Sequence, residues 1–425
     1  MASYATLPPH ETVDIAARLF ERITAKLSCK NFLVRFWDGS SWGAAVHPSF
    51  TLILKNPWSL RQLFLSPSEL SVGESFIYDD FDVEGDLEAA FELADRLFAE
   101  ELPLTEKLKL RAMAVMPKRF LKARGAAEPK GRPHSVERDR AVVRYHYDVS
   151  NDFFRLFLDQ RMIYSCAYFR SPDDDLDTAQ RQKLDYLCRK LRLKPGERLL
   201  ELGCGWGGLL IHAAREYGVQ AFGITLSAPQ AELARERIRE AGLASRCKVE
   251  VCDYRALDPE QQFDKLVSVG MFEHVGEALL PEYFSKAWRL LRPGGVFLNH
   301  GIALSATWRR SGESFIEKYV FPDGELVPLN TTIRAAESCG FEVQDVENLR
   351  KHYEITLRHW ASRLQANAEE ARRLTDDATY RTWRIYMAGS AHGFRVGRMN
   401  LCQLLLNKSA QGRSELPLTR EDWYS

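Results

Sequence analysis

The chain has 425 residues, 45% of them hydrophobic and 27% charged, and its 58 basic side chains balance 58 acidic ones. That length allows two or three domains, the composition is that of an ordinary soluble protein, and no apolar run approaches the roughly 20 residues that span a bilayer. Because residues 1–20 also lack the charged-then-apolar order of a signal peptide, we expect a cytoplasmic protein. Eight cysteines without a CxxC pair favour reduced thiols over disulfides or a zinc site, so we expect no structural metal.

Residues 1–125 are predicted to form a smaller N-terminal α+β domain. A helical pattern runs from Thr12 to Lys26, and two segments with strand periodicity follow, NFLVRFWDG and HPSFTLILKN. A helix-rich end that includes DLEAAFELADRLF closes the domain. No charged or nucleophilic cluster stands out there, so we interpret it as an accessory domain.

A basic segment follows this domain. Between Glu106 and Arg144, twelve Lys or Arg residues stand against four Asp or Glu residues. The first part is an amphipathic helix candidate interrupted near Pro117, and GAAEPKGRPHS is typical of a linker, so we place a basic linker at 126–140. The segment is either a solvated connection or a surface for anionic lipid headgroups, where each Lys or Arg contributes about 1 kcal/mol.

Within a predicted catalytic domain at 141–425, the chain alternates strand, loop and helix from Pro195 onward. The predicted helices are GGLLIHAAREYG, SAPQAELARERIREAG with Ser227 as N-cap, and PEYFSKAWRLL before a turn at RPGG. This alternation predicts an α/β fold with a mostly parallel sheet and helices on both faces, which binds ligands at the carboxyl ends of its strands. We expect the chemistry to follow the last residues of five strands: Leu202, Thr225, Cys252, Gly270 and His300.

The loop LELGCGWGG, after the first of these strands, is the candidate cofactor site. Glycines let backbone N–H groups approach a ligand closely. Leu209 and Leu210 follow the glycines where a Walker loop needs Lys and Ser or Thr, and the next strand ends in GIT without the carboxylate that a dinucleotide ribose needs. Glu201 favours the cationic amino-acid part of S-adenosylmethionine, because it would repel a pyrophosphate.

Polar residues after the next two strands suit the rest of that cofactor. Asp253 is expected to reach an adenine amino group, and Thr225 and Gln230 to serve the ribose or base. These residues favour a methyltransferase that uses S-adenosylmethionine. They leave open a nucleotide-dependent oxidoreductase and a non-catalytic Rossmann-like binding module.

A series of motifs resembles the cyclopropane fatty acid synthase family, which includes the mycolic acid cyclopropane synthases. In chain order they are HYDVSNDFF, YSCAYF, LELGCGWGG, GITLS, DYRAL, SVGMFEHVG and KYVFPDGEL, and the resemblance covers roughly residues 140–410. It implies a Rossmann-like class I methyltransferase fold. It also implies an enzyme that adds a methylene from S-adenosylmethionine across the cis double bond of an unsaturated acyl chain, often in a membrane phospholipid. The N-terminal domain would then help in dimerisation and lipid access.

Such chemistry requires a dry, apolar pocket with one base, because an alkene attacks the sulfonium methyl and the resulting carbocation must lose a proton before water traps it. The resemblance implies that the base is a bound bicarbonate ion. It would be held by Cys166, Glu273, His300, Ile302 and Tyr353. Taken singly, the cysteine and the tyrosine are more typical of core packing, and the histidine is as compatible with core packing as with function. We expect a raised pKa at Glu273, because a carboxylate beside bicarbonate would face like-charge repulsion.

The resemblance also implies a set of residues at the cofactor. They are Tyr164, Ser165, the loop from Glu201 to Gly208 with Gly203, Cys204 and Gly205, then Thr225, Leu226, Gln230, Tyr254 and Arg255. A helix is predicted at 146–158, either as a lid with Tyr147 near the sulfonium or acyl chain or as a plain amphipathic helix. Two positions depart from the family. Ser390 stands where a cysteine is common, which makes a covalent role doubtful there, and Gly301 stands where threonine is frequent, which would enlarge the pocket.

The sequence therefore predicts cyclopropane formation on unsaturated phospholipid acyl chains, with S-adenosylmethionine and bicarbonate as cofactors. We expect a homodimer at the inner face of the membrane, with the basic segment facing lipid and no nucleic-acid partner. Methyl transfer followed by a hydride shift, which gives a mid-chain methyl or methylene branch, remains an alternative because it needs the same cation and base. A lipid-binding module without catalysis would predict a degraded glycine loop or loss of Glu273, and neither is seen.

Overall fold

The computed structural model describes residues 9–25, 31–43, 46–65, 67–99, 103, 105, 107, 110, 131–147, 149–308, 313–412, 414 and 416–424. The chain divides into two compact units, which we call the small unit and the large unit. The small unit comprises residues 1–128, 310–320 and 368–392, and the large unit comprises residues 129–309, 321–367 and 393–425. Nothing in the residue pattern of the two later segments of the small unit indicates that they belong with the N-terminal part of the chain.

The elements are numbered in chain order. The α-helices of the described residues are α1 (Pro9–Thr24), α2 (Ser59–Phe64), α3 (Glu69–Ile77), α4 (Leu87–Ala99), α5 (Val136–Tyr147), α6 (Asn151–Arg155), α7 (Leu176–Leu191), α8 (Gly208–Tyr217), α9 (Ala228–Glu240), α10 (Leu280–Leu290), α11 (Phe315–Tyr319), α12 (Leu329–Ser338), α13 (Arg350–Ala366), α14 (Ala368–Leu374) and α15 (Asp377–Arg395). The strands are β1 (Phe32–Arg35), β2 (Ser41–Trp42), β3 (Phe50–Leu54), β4 (Phe81–Gly85), β5 (Arg198–Leu202), β6 (Gln220–Thr225), β7 (Cys247–Val251), β8 (Phe263–Val269), β9 (Leu291–Leu304), β10 (Val327–Pro328), β11 (Glu342–Asn348) and β12 (Met399–Asn407).

The small unit is an α+β fold built on a four-stranded sheet in the order β2-β1-β3-β4. Its core is aromatic, and the rings of Phe32 and Phe50 stack on neighbouring strands with centroids 5.0 Å apart. A buried arginine explains why α15 belongs to this unit: Arg381 forms ion pairs with Asp79 and with Asp82, the latter at 2.8 Å. These ion pairs attach α15 to the four-stranded sheet.

The large unit contains the mostly parallel sheet that the sequence predicts. Its strands lie in the order β11-β12-β9-β8-β5-β6-β7, and β10 pairs with β9. Strands β7, β6, β5, β8 and β9 are parallel, whereas β12 runs antiparallel to both of its neighbours. Of the seven strands in this order, β12 alone runs against the others, since β11 has the direction of β9.

Helices cover both faces of this sheet, as expected. Buried leucines and alanines of α7, α8 and α9, such as Leu184, Leu210 and Ala234, form one core cluster. A second cluster includes Phe284 of α10 and Ala336 of α12. The fold thus buries an apolar layer on each side of the strands and leaves their carboxyl ends to form a ligand site.

Three local predictions are wrong. RPGG lies inside β9 rather than in a turn. Strand β9 also continues beyond His300 to Leu304, because antiparallel β12 pairs with it from Val296 to Leu304. The helix predicted at 146–158 is two helices, α5 and α6. Ser150 separates them, since its φ of 129° is not helical and its side chain caps α6 by accepting a hydrogen bond from the Phe153 N–H.

Several expectations concern features of the whole chain. Most of the basic segment, residues 111–130, lies outside the described residues, so its helix and the first part of the linker at 126–140 are not covered. In the part of the chain that is described, no helix combines the length and apolarity needed to cross a bilayer, and no cluster of three or more metal-ligating side chains is present. The cysteines in the described ranges are free thiols.

Candidate active site

A cavity of about 140 Å³ lies at the carboxyl ends of β5, β6, β7 and β8 in the large unit. The residues directly after four of the five predicted strand ends line it. The residues directly after His300, the fifth predicted end, do not. Leu202 and Gly207 of the expected loop are not in the lining. The lining does include these residues expected at the cofactor: Tyr147, Tyr164, Ser165, Glu201, Gly203, Cys204, Gly205, Thr225, Leu226, Gln230, Asp253, Tyr254 and Arg255. This is the point where connections from the sheet diverge to opposite sides, which is where open α/β sheets hold ligands.

The glycine loop after β5 is shaped by close packing. Gly203 has a φ of +80°, and a Cβ there would lie 2.8 Å from the Met271 Cβ. The N–H groups of Gly203 and Cys204 both donate to the Ile224 carbonyl, at 3.0 and 2.8 Å. These two N–H groups are therefore used by the turn, so Gly203 is needed for the sharp bend and for the approach of Met271.

Glu201 is the acid that the sequence places before the first glycine, and it is 4% exposed in β5. Its Oε2 is buried and has no hydrogen-bond partner among the described residues. Burial raises the pKa of Glu201 to about 8, although the nearby Lys183 ammonium acts in the opposite direction. A buried acid with an unused oxygen in a cavity fits a cationic ligand, because the cation would restore the charge that burial suppresses.

Two predicted cofactor contacts are already occupied by protein partners. Asp253 accepts from the Arg255 guanidinium at 2.8 and 2.6 Å, and Arg255 also binds the Asp139 carboxylate at 2.7 Å. Thr225 donates its hydroxyl to Gln230 Oε1 at 2.8 Å. All these residues line the cavity, but their polar atoms bind one another in this structure.

Aromatic side chains form one wall of the cavity. Tyr147, at the end of α5, lies edge-on to Tyr164 and Trp206, with ring centroids 6.3 Å apart in both pairs. The preceding residue, the buried His146, stacks on Phe321 with ring centroids 4.0 Å apart, and these two rings are not part of the lining. The apolar part of the lining includes Val142, Val143, Met162, Ile163, Leu184, Leu209, Val269 and Leu279. Aromatic faces attract cations, and an apolar wall excludes water.

The five predicted catalytic residues lie outside the lining of this cavity, although Glu273 follows Gly270 and Met271, which line it. Glu273 Oε1 accepts a hydrogen bond from the Ile302 N–H at 2.7 Å, and its Oε2 is buried without a partner among the described residues. Burial raises the pKa of Glu273 to about 7. The carboxyl group can thus exist in either protonation state near neutral pH.

His300 lies in β9, two residues before Ile302 and on the same face of the strand. Its Nδ1 is 3.1 Å from Gln403 Nε2, and its Nε2 is buried with no partner in the described ranges. With the Gln403 amide in this orientation its nitrogen donates, so Nδ1 accepts and the neutral ring carries its proton on Nε2. Burial holds the pKa of His300 well below its usual value, so the ring stays neutral.

Cys166 and Tyr353 meet at one backbone carbonyl. The Cys166 Sγ lies 3.2 Å from the Ala167 carbonyl oxygen and 3.9 Å from the Leu349 carbonyl oxygen, which accepts from the Tyr353 N–H at 3.2 Å. Burial raises the pKa of Cys166, so this residue is a thiol rather than a thiolate. The Tyr353 ring packs against Trp360 and Phe394.

The two departures from the family pattern have different surroundings. A Cβ at Gly301 would lie 2.9 Å from Cδ1 of Phe272, so that ring fills the space which a threonine side chain would take. The expected enlargement of the pocket at this position is therefore wrong. Ser390 is buried in α15, within the small unit.

One residue of the site was missed by the sequence analysis. Lys183 lines the cavity and is 2% exposed, although lysines in a helix such as α7 are usually solvated. A signal was present, since Leu176, Ala179 and Leu187 share its side of the helix at the spacing of a buried stripe.

Comparison with known proteins identifies the chain. The family model for "Mycolic acid cyclopropane synthetase" matches residues 134–404. The chain belongs to this cyclopropane synthase family. As a member, it is an S-adenosylmethionine-dependent methyltransferase, which excludes the oxidoreductase and the non-catalytic binding module.

Known members of the family match the chain over different lengths. A "Probable fatty acid methyltransferase" of Pseudomonas putida is 43% identical over 92% of this chain and 95% of its own length. The "Cyclopropane-fatty-acyl-phospholipid synthase" of Escherichia coli strain K12 is 37% identical over 65% of this chain and 70% of its own. The crystal structure of the mycolic acid cyclopropane synthase CmaA1 complexed with SAH and CTAB has 36% identity and a TM-score of 0.60, and the match covers 63% of this chain and 98% of that one. The class I methyltransferase fold is thereby confirmed, and the cofactor bound in the solved relative supports S-adenosylmethionine.

Proposed function

We propose that this chain transfers the methyl carbon of S-adenosylmethionine to the cis double bond of an unsaturated phospholipid acyl chain and closes a cyclopropane ring. The observation that carries the proposal is that two buried polar atoms, Glu273 Oε2 and His300 Nε2, have no partner among the described residues, and that Glu273 follows Gly270 and Met271 of the cavity lining. Such atoms are costly to bury unless a ligand or reacting group uses them. The names of two relatives refer to a fatty acid and to a fatty-acyl phospholipid. These names support an acyl chain as the methyl acceptor.

The cofactor assignment depends on the residues of the cavity. When bound there, S-adenosylmethionine supplies an electrophilic methyl group. Glu201 would hold its ammonium group, and the aromatic wall with Tyr147 and Tyr164 would face its sulfonium. Because Asp253 is paired with Arg255, we place adenine recognition on the Asp253–Arg255 pair as a unit.

Proton removal is assigned to the group around Glu273. The proposed anion is bicarbonate, which supplies a proton acceptor when it is bound. The residues fit it: protonated Glu273 and the Nε2–H of His300 are donors with no protein acceptor among the described residues. The Ile302 N–H already binds Glu273, so we assign it the task of orienting that carboxyl. Cys166 and Tyr353, which both contact the Leu349 carbonyl, would complete the site.

A second product is favoured by one comparison. The relative that matches 92% of this chain is named a probable fatty acid methyltransferase, whereas the match to the phospholipid cyclopropane synthase covers 65%. Methyl transfer followed by a hydride shift would give a mid-chain branch. That reaction needs the same cation and the same base, so the residues described above serve either outcome.

Membrane association and a homodimer are part of the proposal. An acyl chain inside a phospholipid must be reached at the membrane surface, and the excess of positive charge between residues 106 and 144 suits an anionic leaflet. We propose a peripheral position on the inner face and the small unit as the part that aids lipid access.

The proposal is tested with purified protein, S-adenosylmethionine labelled in its methyl group, and phospholipid vesicles. We expect label in the acyl chains of a cis-monounsaturated phospholipid. A saturated phospholipid with the same headgroup is the matched control and should remain unlabelled. Label in the headgroup, or in both lipids alike, would contradict transfer to a double bond.

A further inference from the structure

Lys183 is a buried cation in a cavity that the proposed function assigns to a cationic cofactor. Its Nζ donates a hydrogen bond to the Ser165 hydroxyl oxygen at 2.9 Å, and both residues line the cavity. An ammonium group has three donors, and the described residues accept from one of them. Leaving the others unused inside a protein is unfavourable unless a ligand takes them up.

The other basic side chain with several donors in this lining is fully engaged. Arg255 donates to Asp253, to Asp139 and to the His134 carbonyl. Lys183 is therefore the basic side chain of this lining that can bind an anion in the cavity. The acids near it are Glu201 and Asp159, and Asp159 is bound by the N–H groups of residues 161 and 163.

The hydrogen bond between Lys183 and Ser165 has a direction. An ammonium donates, so the Ser165 oxygen accepts and its own proton must point to another acceptor. A hydroxyl polarised in this way is a stronger donor, in particular towards a negatively charged oxygen. Together the two residues present positive charge and a directed O–H to the cavity.

We propose that Lys183 is a positioning residue that orients Ser165 towards the carboxylate of the cofactor's amino-acid part, while Glu201 serves the ammonium of the same part. The inference rests on the proposed assignment of this cavity to S-adenosylmethionine. It goes beyond that assignment because it gives each charged group of the ligand its own site: the carboxylate binds at Ser165 and Lys183, and the ammonium binds at Glu201. The amino-acid part would then be held in one orientation only.

A purely structural role for Lys183 makes a different prediction. Gln180 lies one turn earlier in α7 and donates to the Ser165 carbonyl at 2.8 Å, so both side chains attach the same segment to the helix. If Lys183 acted only as such an attachment, its loss would resemble the loss of Gln180. Gln180→Met is therefore the matched control.

The experiment measures binding by calorimetry with three ligands. S-adenosylhomocysteine carries both the carboxylate and the ammonium, decarboxylated S-adenosylhomocysteine keeps the ammonium without the carboxylate, and methylthioadenosine lacks both. For Lys183→Met we expect the affinity for S-adenosylhomocysteine to fall about ten- to a hundredfold, the scale for losing a hydrogen bond to a charged group. The affinities for the other two ligands should be almost unchanged.

Two further variants keep the test decisive. Ser165→Ala should show the same selective loss and removes no buried charge, so it answers the question if Lys183→Met does not fold. Gln180→Met should weaken all three ligands alike. Equal losses for all three ligands with Lys183→Met and Ser165→Ala, or no loss, would overturn the inference. Because no lipid is present, this outcome is independent of the proposed acceptor.

Discussion

The Glu273 carboxyl and the Ile302 N–H are joined by a hydrogen bond of 2.7 Å that leaves the other carboxyl oxygen buried and unpartnered within the described structure. The bond links the segment that follows β8 to the middle of β9. One oxygen fixes the orientation of the side chain, and the other remains for chemistry. This arrangement suits a group that exchanges a proton at a defined position.

Replacing Glu273 by Gln keeps the size of the side chain and removes its ability to hold an acidic proton. We expect turnover on an unsaturated acyl chain to fall at least about a hundredfold, the scale for losing an acid–base group. Affinity for S-adenosylhomocysteine should stay close to that of the unmodified protein, because Glu273 does not line the cavity. The exposed Glu282 of α10 provides the control, and Glu282→Gln should be fully active. Retained turnover in Glu273→Gln would remove this residue from the mechanism.

Cofactor binding should release a proton from Glu201. Without a ligand, burial holds its pKa at about 8, so the carboxyl is mostly protonated at pH 7. A cation beside it favours the charged form and lowers the pKa, so affinity for S-adenosylhomocysteine should rise with pH below about 8 and then level off. Calorimetry at pH 7 in buffers of different ionisation enthalpy counts the proton. Glu201→Gln should bind without release, and equal counts in both proteins would exclude this carboxyl.

Gly203→Ala should destabilise the large unit and weaken cofactor binding. The new Cβ would lie 2.8 Å from Met271 at a φ of +80°, and such overpacking costs about 1–3 kcal/mol in addition to the backbone strain. Gly196→Ala separates the two effects, since Gly196 has a φ of +84° and open space around its Cβ. Thermal unfolding should show a larger loss for Gly203→Ala. Equal losses would mean that contact with Met271 has no energetic consequence.

Charge reversal in the basic segment tests the proposed membrane surface. Changing four of Lys118, Arg119, Lys122, Arg124 and Lys130 to Glu should weaken sedimentation with anionic vesicles, and the difference should shrink as salt is added. Neutral vesicles are the control and should bind both proteins equally. Unchanged sedimentation with anionic vesicles would favour the interpretation as a solvated linker.

Local sequence patterns predict much of the large unit correctly. The strands β5 to β8 form at the predicted apolar segments, and Ser227 caps α9 as expected by accepting a hydrogen bond from the Gln230 N–H. The glycine loop and its neighbours line the cavity because residues at the carboxyl ends of parallel strands meet in any such sheet.

Contacts between distant segments account for what the sequence does not predict. The pairing of β12 with β9 extends β9 past His300 and brings Gln403 to its ring, although 103 residues separate the two. The burial of Lys183 depends on the segment at Ser165, and the engagement of Asp253 depends on the side-chain conformation of Arg255. The strand pairing and the Asp253–Arg255 pair leave no periodic signal in the chain, whereas the buried stripe of α7 that includes Lys183 does.

The most direct test of the proposed function is mass spectrometry of phospholipid acyl chains from cells that make no cyclopropane lipids of their own and express this chain. We predict a new species heavier than a monounsaturated chain by one CH2 group that resists ozonolysis, and its absence from cells expressing Glu273→Gln. A product of the same mass that ozonolysis cleaves at a branch carbon, or no added carbon at all, would contradict ring closure.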